Sequence, residues 1–231
     1  MTIEPIAYFH SPFTGKFGVP KQSGLVTTLE GTIEFVPAFR NVDVLRGLDE
    51  FDYIWLIWEF SANKHAANSF LVRPPLLGGN EKKGVFATRS PFRPNHLGLS
   101  SVRIEKIEWD SNRGPLIHVL GADLMEGTPI YDIKPYVSLA DCHPEARCGF
   151  VDTHQLKRLK VEYADYVTEK LTKSQQETLK KILELDPRPH YHDDASKVYG
   201  MYYGNYNVRF KVDGLLLTVI DCELTDSKVN P

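Results

Sequence analysis

Apolar and polar positions alternate over short spans through most of the chain. Ile3 to Phe9 predicts a first strand, closed by Ser11-Pro12. Thr32 to Val36 is β-branched and aromatic and predicts another. Val42 to Leu48 predicts a short helix. Asp52 to Phe60 is almost continuously aromatic and β-branched, which predicts a strand buried on both faces. Gly84 to Thr88 predicts a short strand. Val102 to Trp109 and Leu116 to Leu120 flank the turn-forming residues Ser111, Asn112, Arg113 and Gly114, so that pair predicts a hairpin. Many short strands with such turn signals point to a barrel or a sandwich.

The pattern changes after about residue 152. Ser174 and Glu177 match a capping box, and Leu179, Ile182 and Leu183 follow at helical spacing. A helix from about Gln175 to Leu185 is predicted, stopped by Asp186-Pro187, because the residue before proline avoids helical angles. Val208 to Val212 and Leu215 to Ile220 are joined by Asp213-Gly214, which predicts a hairpin with a type I′ turn. The chain therefore divides into 1–152, mainly β, and 153–231, a small α+β domain. No internal repeat or low-complexity segment appears.

The 231 residues are 42% hydrophobic and 25% charged, enough to bury a sizeable core without staples. The longest apolar run, Tyr53 to Trp58, is far short of the roughly 20 residues that span a bilayer. The N-terminal residues lack the pattern of a signal peptide, so a cytoplasmic protein is expected. The three cysteines, Cys142, Cys148 and Cys222, fit neither a zinc ribbon nor a C-x-x-C motif and read as reduced thiols. The formal net charge of −3 argues against a non-specific nucleic-acid coat. A local basic patch still permits a specific RNA enzyme. Lys82-Lys83 with Arg89 and Arg93, and Lys157-Arg158 with Lys160, are the candidates.

Several familiar chemistries are not signalled. There is no G-x-G-x-x-G after a strand, no Walker A sequence, no H-E-x-x-H and no G-x-S-x-G elbow. His190-Tyr-His192 has metal-ligand spacing, but no third ligand is signalled, so no metal is expected.

Three stretches look chemical. In Ala87 to Gly98, Pro91 and Pro94 stiffen a loop bearing Arg89, Arg93 and Asn95. Arginine offers a fork of donors to carboxylate or phosphate, and asparagine can read a base edge. The same loop also reads as a structural proline turn with solvated arginines. In Gly121 to Tyr136, Asp123, Glu126, Asp132 and Lys134 interrupt apolar residues closely enough that some must be paired or bind a ligand. Asp132 and Lys134, two apart, share one face of an extended segment. In Asp186-Pro-Arg-Pro-His-Tyr191, Arg188 could meet phosphate and Tyr191 could stack on a base, although taken alone the motif reads better as a helix stop with a rigid exit.

These pieces together resemble the TrmO family, also called YaeB-, VirR- or TsaA-like. The matching segments are Phe17 to Gln22, Arg73-Pro-Pro75 with Gly78-Gly79, Gly84 to Ser90, Phe92 to Asn95, Asp123-Leu124, Gly127-Thr-Pro129, Asp132 to Tyr136 and Asp186 to Tyr191. The resemblance implies a β-barrel that binds S-adenosylmethionine, unlike the Rossmann-type methyltransferases. It implies N6-methylation of N6-threonylcarbamoyladenosine at position 37 of threonine-accepting tRNA, by a homodimer with the cofactor near the subunit interface. It places cofactor contacts at Gln22, Ser23, Gly24, Ser61, Ala62, Arg89, Leu99, Asp123, Leu124, Met125 and Glu126. Ser61-Ala62 stands where relatives carry His-Gln, and His96 where a proline is often found.

The acceptor nitrogen of such a base is acylated and a poor nucleophile, so a base or a polar clamp is needed. Asp132 is the first candidate for the base. Lys134 and Arg93 would hold the threonyl carboxylate or a phosphate, and Asn95 would fix the adenine. The nucleotide must be flipped or unstacked to reach a pocket. Asp186, Arg188 and Tyr191 would contact the RNA. Two other readings share these residues: a non-catalytic, cofactor-sensing RNA-binding module, and an enzyme that methylates a small molecule.

Overall fold

The computed structural model describes residues 2–63, 69–154, 156–188 and 194–225. In chain order the strands are β1 (Ala7–His10), β2 (Glu30–Phe35), β3 (Tyr53–Glu59), β4 (Leu71–Val72), β5 (Lys83–Gly84), β6 (Leu97–Asp110), β7 (Gly114–Leu120), β8 (Thr128–Pro135), β9 (Lys160–Tyr163), β10 (Tyr199–Tyr203), β11 (Tyr206–Asp213) and β12 (Leu216–Leu224). The helices are α1 (Ser138–Asp141), α2 (Phe150–Thr153), α3 (Asp165–Thr168) and α4 (Lys173–Leu183).

Six strands close into a barrel in the order β1-β2-β7-β6-β3-β8. Every neighbouring pair in it is antiparallel. Closure removes the sheet edges that would otherwise template pairing with another chain. Phe9, Ile33, Ile54, Leu56, Val102, Ile117 and Ile130 fill the interior. The alternating directions put three connections at one end: β1–β2, β3–β6 and β7–β8. The β2–β3 and β6–β7 connections lie at the other.

The chain from 160 onward builds a second sheet, β10-β11-β12-β9, with α4 packed on it. β9 runs parallel to β12, and the other pairs are antiparallel. Leu179, Ile182 and Leu183 of α4 are buried, as their helical spacing predicts. The β1–β2 connection contributes Phe13, Val26 and Leu29 to this second core. Its Pro12 carbonyl accepts from the Gly204 N–H at 2.7 Å, and its Thr28 hydroxyl accepts from the Thr178 hydroxyl at 2.9 Å. The connection is therefore gripped by both halves of the molecule.

Several expectations change in detail. The first strand starts at Ala7, not Ile3. Val42 to Leu48 forms 3-10 turns over Val42–Leu45 and Leu48–Glu50, opened by Asn41 accepting from the Asp43 N–H at 3.0 Å. β3 is buried on one face only, with Ile54, Leu56 and Trp58 inside and the residues between them turned outward. Its outer face is apolar, which is why the run looked doubly buried. Gly84 ends the two-residue strand Lys83–Gly84, and a 3-10 turn over Val85–Ala87 follows in place of the expected strand. α4 is capped by Thr172 with Gln175, two residues before the expected box. The β11–β12 loop is Gly214-Leu215, because Asp213 pairs with Leu216. Of the two, only Gly214 has positive φ, at +55°, so the turn is not type I′.

Candidate active site at one rim of the barrel

The three connections that share one barrel end carry most of the residues singled out from the sequence. Gln22, Ser23 and Gly24 lie on the β1–β2 connection. Ser61, Ala62, Arg89, Arg93 and Asn95 lie on the β3–β6 connection. Asp123, Leu124, Met125 and Glu126 lie on the β7–β8 connection.

Asp123 is the centre of this rim. The Ser100 hydroxyl donates to its Oδ1 at 2.5 Å, and the Trp58 indole N–H donates to that hydroxyl at 2.9 Å. Burial pushes the Asp123 carboxyl above the usual aspartate range; the hydrogen bonds from Ser100, its own N–H and the Ser23 N–H, and the Arg89 charge, oppose this without cancelling it. Arg89 donates to the Gln22 side-chain carbonyl at 2.7 Å. Gly24, at φ +79°, donates its N–H to the Gly121 carbonyl at 2.8 Å. Such angles are strained for any residue with a Cβ. Gln22, Ser23, Gly24, Arg89 and Asp123 are thus brought together. Leu124 is buried in the barrel interior, so its side chain faces away from the rim.

Glu126 points to the β1 side. Its carboxylate accepts from the Ser11 N–H at 2.7 Å and meets His10 Nδ1 at 2.9 Å. The other His10 nitrogen lies 3.2 Å from Glu34. The hydrogen bond to Glu126, with both carboxylate charges, raises the His10 pKa against the opposing effect of burial. Burial pushes Glu126 up, but His10 and the Ser11 N–H outweigh it and hold the carboxyl low.

On the β3–β6 connection, Arg93 donates to the Thr88 carbonyl at 2.7 Å and the Val85 carbonyl at 3.4 Å. Its guanidinium pins the segment that carries Arg89. Asn95 is exposed in the turn before β6, and the adjacent His96 has φ +53°, an angle proline cannot adopt. Ser61 and Ala62 open the connection beside Asn63, which accepts from Lys16.

The other candidates stand on the outer wall. Ile57 of β3 is flanked by Leu99 of β6 and by Asp132 of β8, and residues directly opposite share a face. Leu99 is 55% exposed. Asp132 pairs with Lys134 at 3.0 Å. Asp132 lies about 13 Å along β8 from Thr128 at the rim. Among the described residues no hydrogen bond or ion pair joins Asp132 or Lys134 to Arg93 or Asn95.

The Asp-Pro-Arg motif ends α4. Arg188 grips Asp186 with two bonds, 2.9 Å to Oδ1 and 3.0 Å to Oδ2, and its side chain is only 10% exposed. Asp186 holds φ +49°. Lys21 is exposed overall, yet desolvation around its ammonium lowers its pKa, and the nearby Asp186 carboxylate opposes that. The motif thus sits beside the residue preceding Gln22. Tyr191, His190 and His192 lie outside the described residues.

Ser100, Trp58, His10 and Lys21 were not picked out from the sequence. Ser100 carried the one available signal, a polar residue at an inward position of a strand. No helix among the described residues is long and apolar enough to cross a membrane.

Known proteins resemble this chain in sequence and fold. Residues 8–142 match the family described as the tRNA-methyltransferase O N-terminal domain, and residues 156–225 match the TrmO C-terminal domain. The chain is 34% identical to the tRNA (adenine(37)-N6)-methyltransferase of Escherichia coli, over 90% of this chain and 92% of that one. It is 35% identical to a Pseudomonas aeruginosa protein whose name refers to S-adenosylmethionine-dependent methyl transfer, covering 90% and 91%. A crystal structure of TrmO from Pseudomonas aeruginosa superposes with a TM-score of 0.77 at 30% identity, covering 96% of this chain and 98% of that one. With both family domains matched in order and most of its length shared with these relatives, the chain belongs to the tRNA-methyltransferase O family.

Proposed function

We propose that the protein transfers a methyl group from S-adenosylmethionine to N6 of the adenosine at position 37 of tRNA. The base it accepts is N6-threonylcarbamoyladenosine, in tRNA(Thr). The observation that carries this reading is the Asp123 junction, where three connections converge in a chain similar to named tRNA (adenine(37)-N6)-methyltransferases over nine-tenths of its length.

The donor set fits the cofactor's chemistry. Arg89 suits its carboxylate, and the Asp123 and Glu126 carboxyls favour its cationic sulfur. Ser61, Ala62 and Met125 border the same rim, Leu124 contributes through its backbone because its side chain is buried in the barrel, and Leu99, on the outer wall, joins from a second copy. When bound, the cofactor supplies an electrophilic methyl group on a sulfonium. The chain's own work is orientation: it holds the acceptor nitrogen in line and keeps its groups ordered in advance. Asp132 takes the N6 proton, while Lys134, at 3.0 Å, and Arg93 hold the threonyl carboxylate or a phosphate, and Asn95 fixes the adenine. Asp186, Arg188 and Tyr191 serve the RNA contact, the first two by shaping the surface beside Lys21.

Asp132 and Lys134 stand on the barrel wall rather than its rim, so this reading needs a second copy to bring its rim against that wall. We therefore read the working form as a cytoplasmic homodimer, with residues 1–152 as the methyl-transfer domain and 153–231 as the RNA-handling domain.

The test is incubation with labelled S-adenosylmethionine and tRNA from cells with and without threonylcarbamoylation, followed by nucleoside mass spectrometry. Label on the threonylcarbamoylated nucleoside alone supports the reading. Cofactor binding without transfer to any tRNA would turn it into a sensing module. Transfer without RNA would point to a small-molecule substrate.

A further inference from the structure

The β3–β6 connection has a character of its own. Residues 69–96 contain five cations, Arg73, Lys82, Lys83, Arg89 and Arg93, against one carboxylate, Glu81, a balance of +4 in a chain of net charge −3. The same segment exposes three phenylalanines: Phe70 at 81%, Phe86 at 77% and Phe92 at 47%. Phe70 and Phe86 are the two most exposed aromatic side chains among the described residues, and exposed apolar groups carry meaning when they cluster.

The three rings belong to one neighbourhood. The Val85 N–H donates to the Phe70 carbonyl at 2.9 Å, continuing the β4–β5 pairing and placing Phe70 opposite Val85, the residue next to Phe86 in the chain. Arg93 donates to the Val85 carbonyl and sets its guanidinium 6.0 Å from the centre of the Phe86 ring. Phe92 directly precedes Arg93. Arg73 and Lys82 are exposed on the same connection, whereas Lys83 is paired with Glu81. Arg89, on the same segment, reaches Gln22 at the rim.

Exposed rings in a local positive field match unpaired nucleotides better than other partners. Every base has a face to stack on an aromatic ring, and every nucleotide brings a phosphate for a lysine or arginine. An A-form duplex hides its base faces and leaves such rings nothing to stack on.

We infer that Phe70, Phe86 and Phe92, with Arg73 and Lys82, form a stacking platform for unpaired nucleotides of an RNA loop, next to the rim. The platform rests on the function proposed above and deepens it, because it supplies the grip on nucleotides flanking the one presented for reaction. Arg93 stiffens the platform from beneath by holding the Val85 and Thr88 carbonyls.

The probes are a synthetic anticodon stem-loop hairpin and a blunt duplex of the same stem. Each of Phe70→Leu, Phe86→Leu and Phe92→Leu keeps an apolar side chain but removes the ring. Affinity for the hairpin is expected to fall about ten-fold per ring lost, with duplex affinity unchanged and Phe→Tyr variants close to wild type. Arg73→Gln and Lys82→Gln each flatten the slope of log affinity against log salt by about 0.7. Melting temperature and S-adenosylmethionine binding, both measured in parallel, stay at wild-type values. A triple Leu variant that binds the hairpin like wild type overturns the platform and leaves the proposed function standing. Loss of self-association with unchanged hairpin affinity also overturns it, and assigns the rings to a contact between copies. A wild-type chain that binds no hairpin sinks both the platform and the function beneath it.

Discussion

Ser100 and Asp123, on different elements, share a 2.5 Å hydrogen bond that links the barrel wall to the rim. Ser100 faces inward on β6 and in turn accepts from Trp58. Asp123 lies on the β7–β8 connection, which faces the β1–β2 segment, and the Ser23 N–H reaches it from there. A carboxyl in such a place is costly to bury unless each lone pair finds a donor. The rigid wall thereby fixes the geometry of a loop assembly that would otherwise rest on backbone bonds alone.

Ser100→Ala strips Asp123 of a donor and Trp58 of its acceptor. Stability to denaturant should fall by about 1–3 kcal/mol. The pH dependence gives a second readout. Asp123 binds its proton more tightly in the folded chain than at the ordinary value of 3.8. Its contribution to stability is therefore full below that value and is lost as pH rises through the raised folded pKa. Asp123→Asn should flatten this part of the stability–pH curve. An unchanged slope would mean that the carboxyl titrates normally.

His10 and Glu126 stabilise each other between their ordinary pKa values. The His10 contribution is full below 6.5 and is lost as pH rises through its raised folded value. The Glu126 contribution is present above 4.5 and is lost as pH falls through its depressed folded value. Imidazole titration by NMR should show the His10 pKa dropping in Glu126→Gln, and dropping less in Glu34→Gln, whose contact is longer. Equal drops in the two variants would show that Glu126 is not the main partner.

Arg188 and Asp186 form a bidentate pair with little exposure. Arg188→Ala leaves Asp186 at φ +49° without that fork and should cost about 3 kcal/mol of stability. Arg188→Lys should recover little, because an ammonium cannot reproduce two parallel bonds to one carboxylate. Asp186→Asn should lie between, since asparagine tolerates the left-handed backbone. Denaturant titration of the three variants gives the order directly. If Arg188→Ala is as stable as wild type, the pair is a surface contact free to meet phosphate.

How much of this could be read from the sequence depended on range. The hairpin at Ser111 to Gly114 and the Asp213-Gly214 turn are local, and both were legible, although the second turn shifts by one residue. The helix period of Leu179, Ile182 and Leu183 was equally local. β3 misled because its outer face, Trp55 and Ile57, is as apolar as its inner one, so alternation was invisible. The rim was legible in part. Proline and glycine marked the loops, and the strand count placed them at one end only after closure was known. The partners of Asp123 and Glu126 were not legible. Ser100, 23 residues away from Asp123, and His10, 116 residues from Glu126, meet them only through sheet register.

The catalytic assignment is open to direct test. Asp132→Asn should lower methyl transfer to threonylcarbamoylated tRNA by about 10²- to 10⁴-fold, the usual range for losing a general base, with cofactor binding unchanged. Arg93→Ala acts differently. It frees the Thr88 and Val85 carbonyls, loosens the segment bearing Arg89, and should weaken cofactor binding about ten-fold. If each site takes its rim from one copy and Asp132 from the other, protomers mixed from Asp132→Asn and Arg89→Ala stocks should recover about a quarter of the wild-type rate, because half of the random dimers carry one intact site. No recovery on mixing would place Asp132 and the rim in the same copy or in separate roles. Wild-type turnover in both Asp132→Asn and Arg93→Ala would remove these side chains from the reaction and return the search for a base to the rim itself.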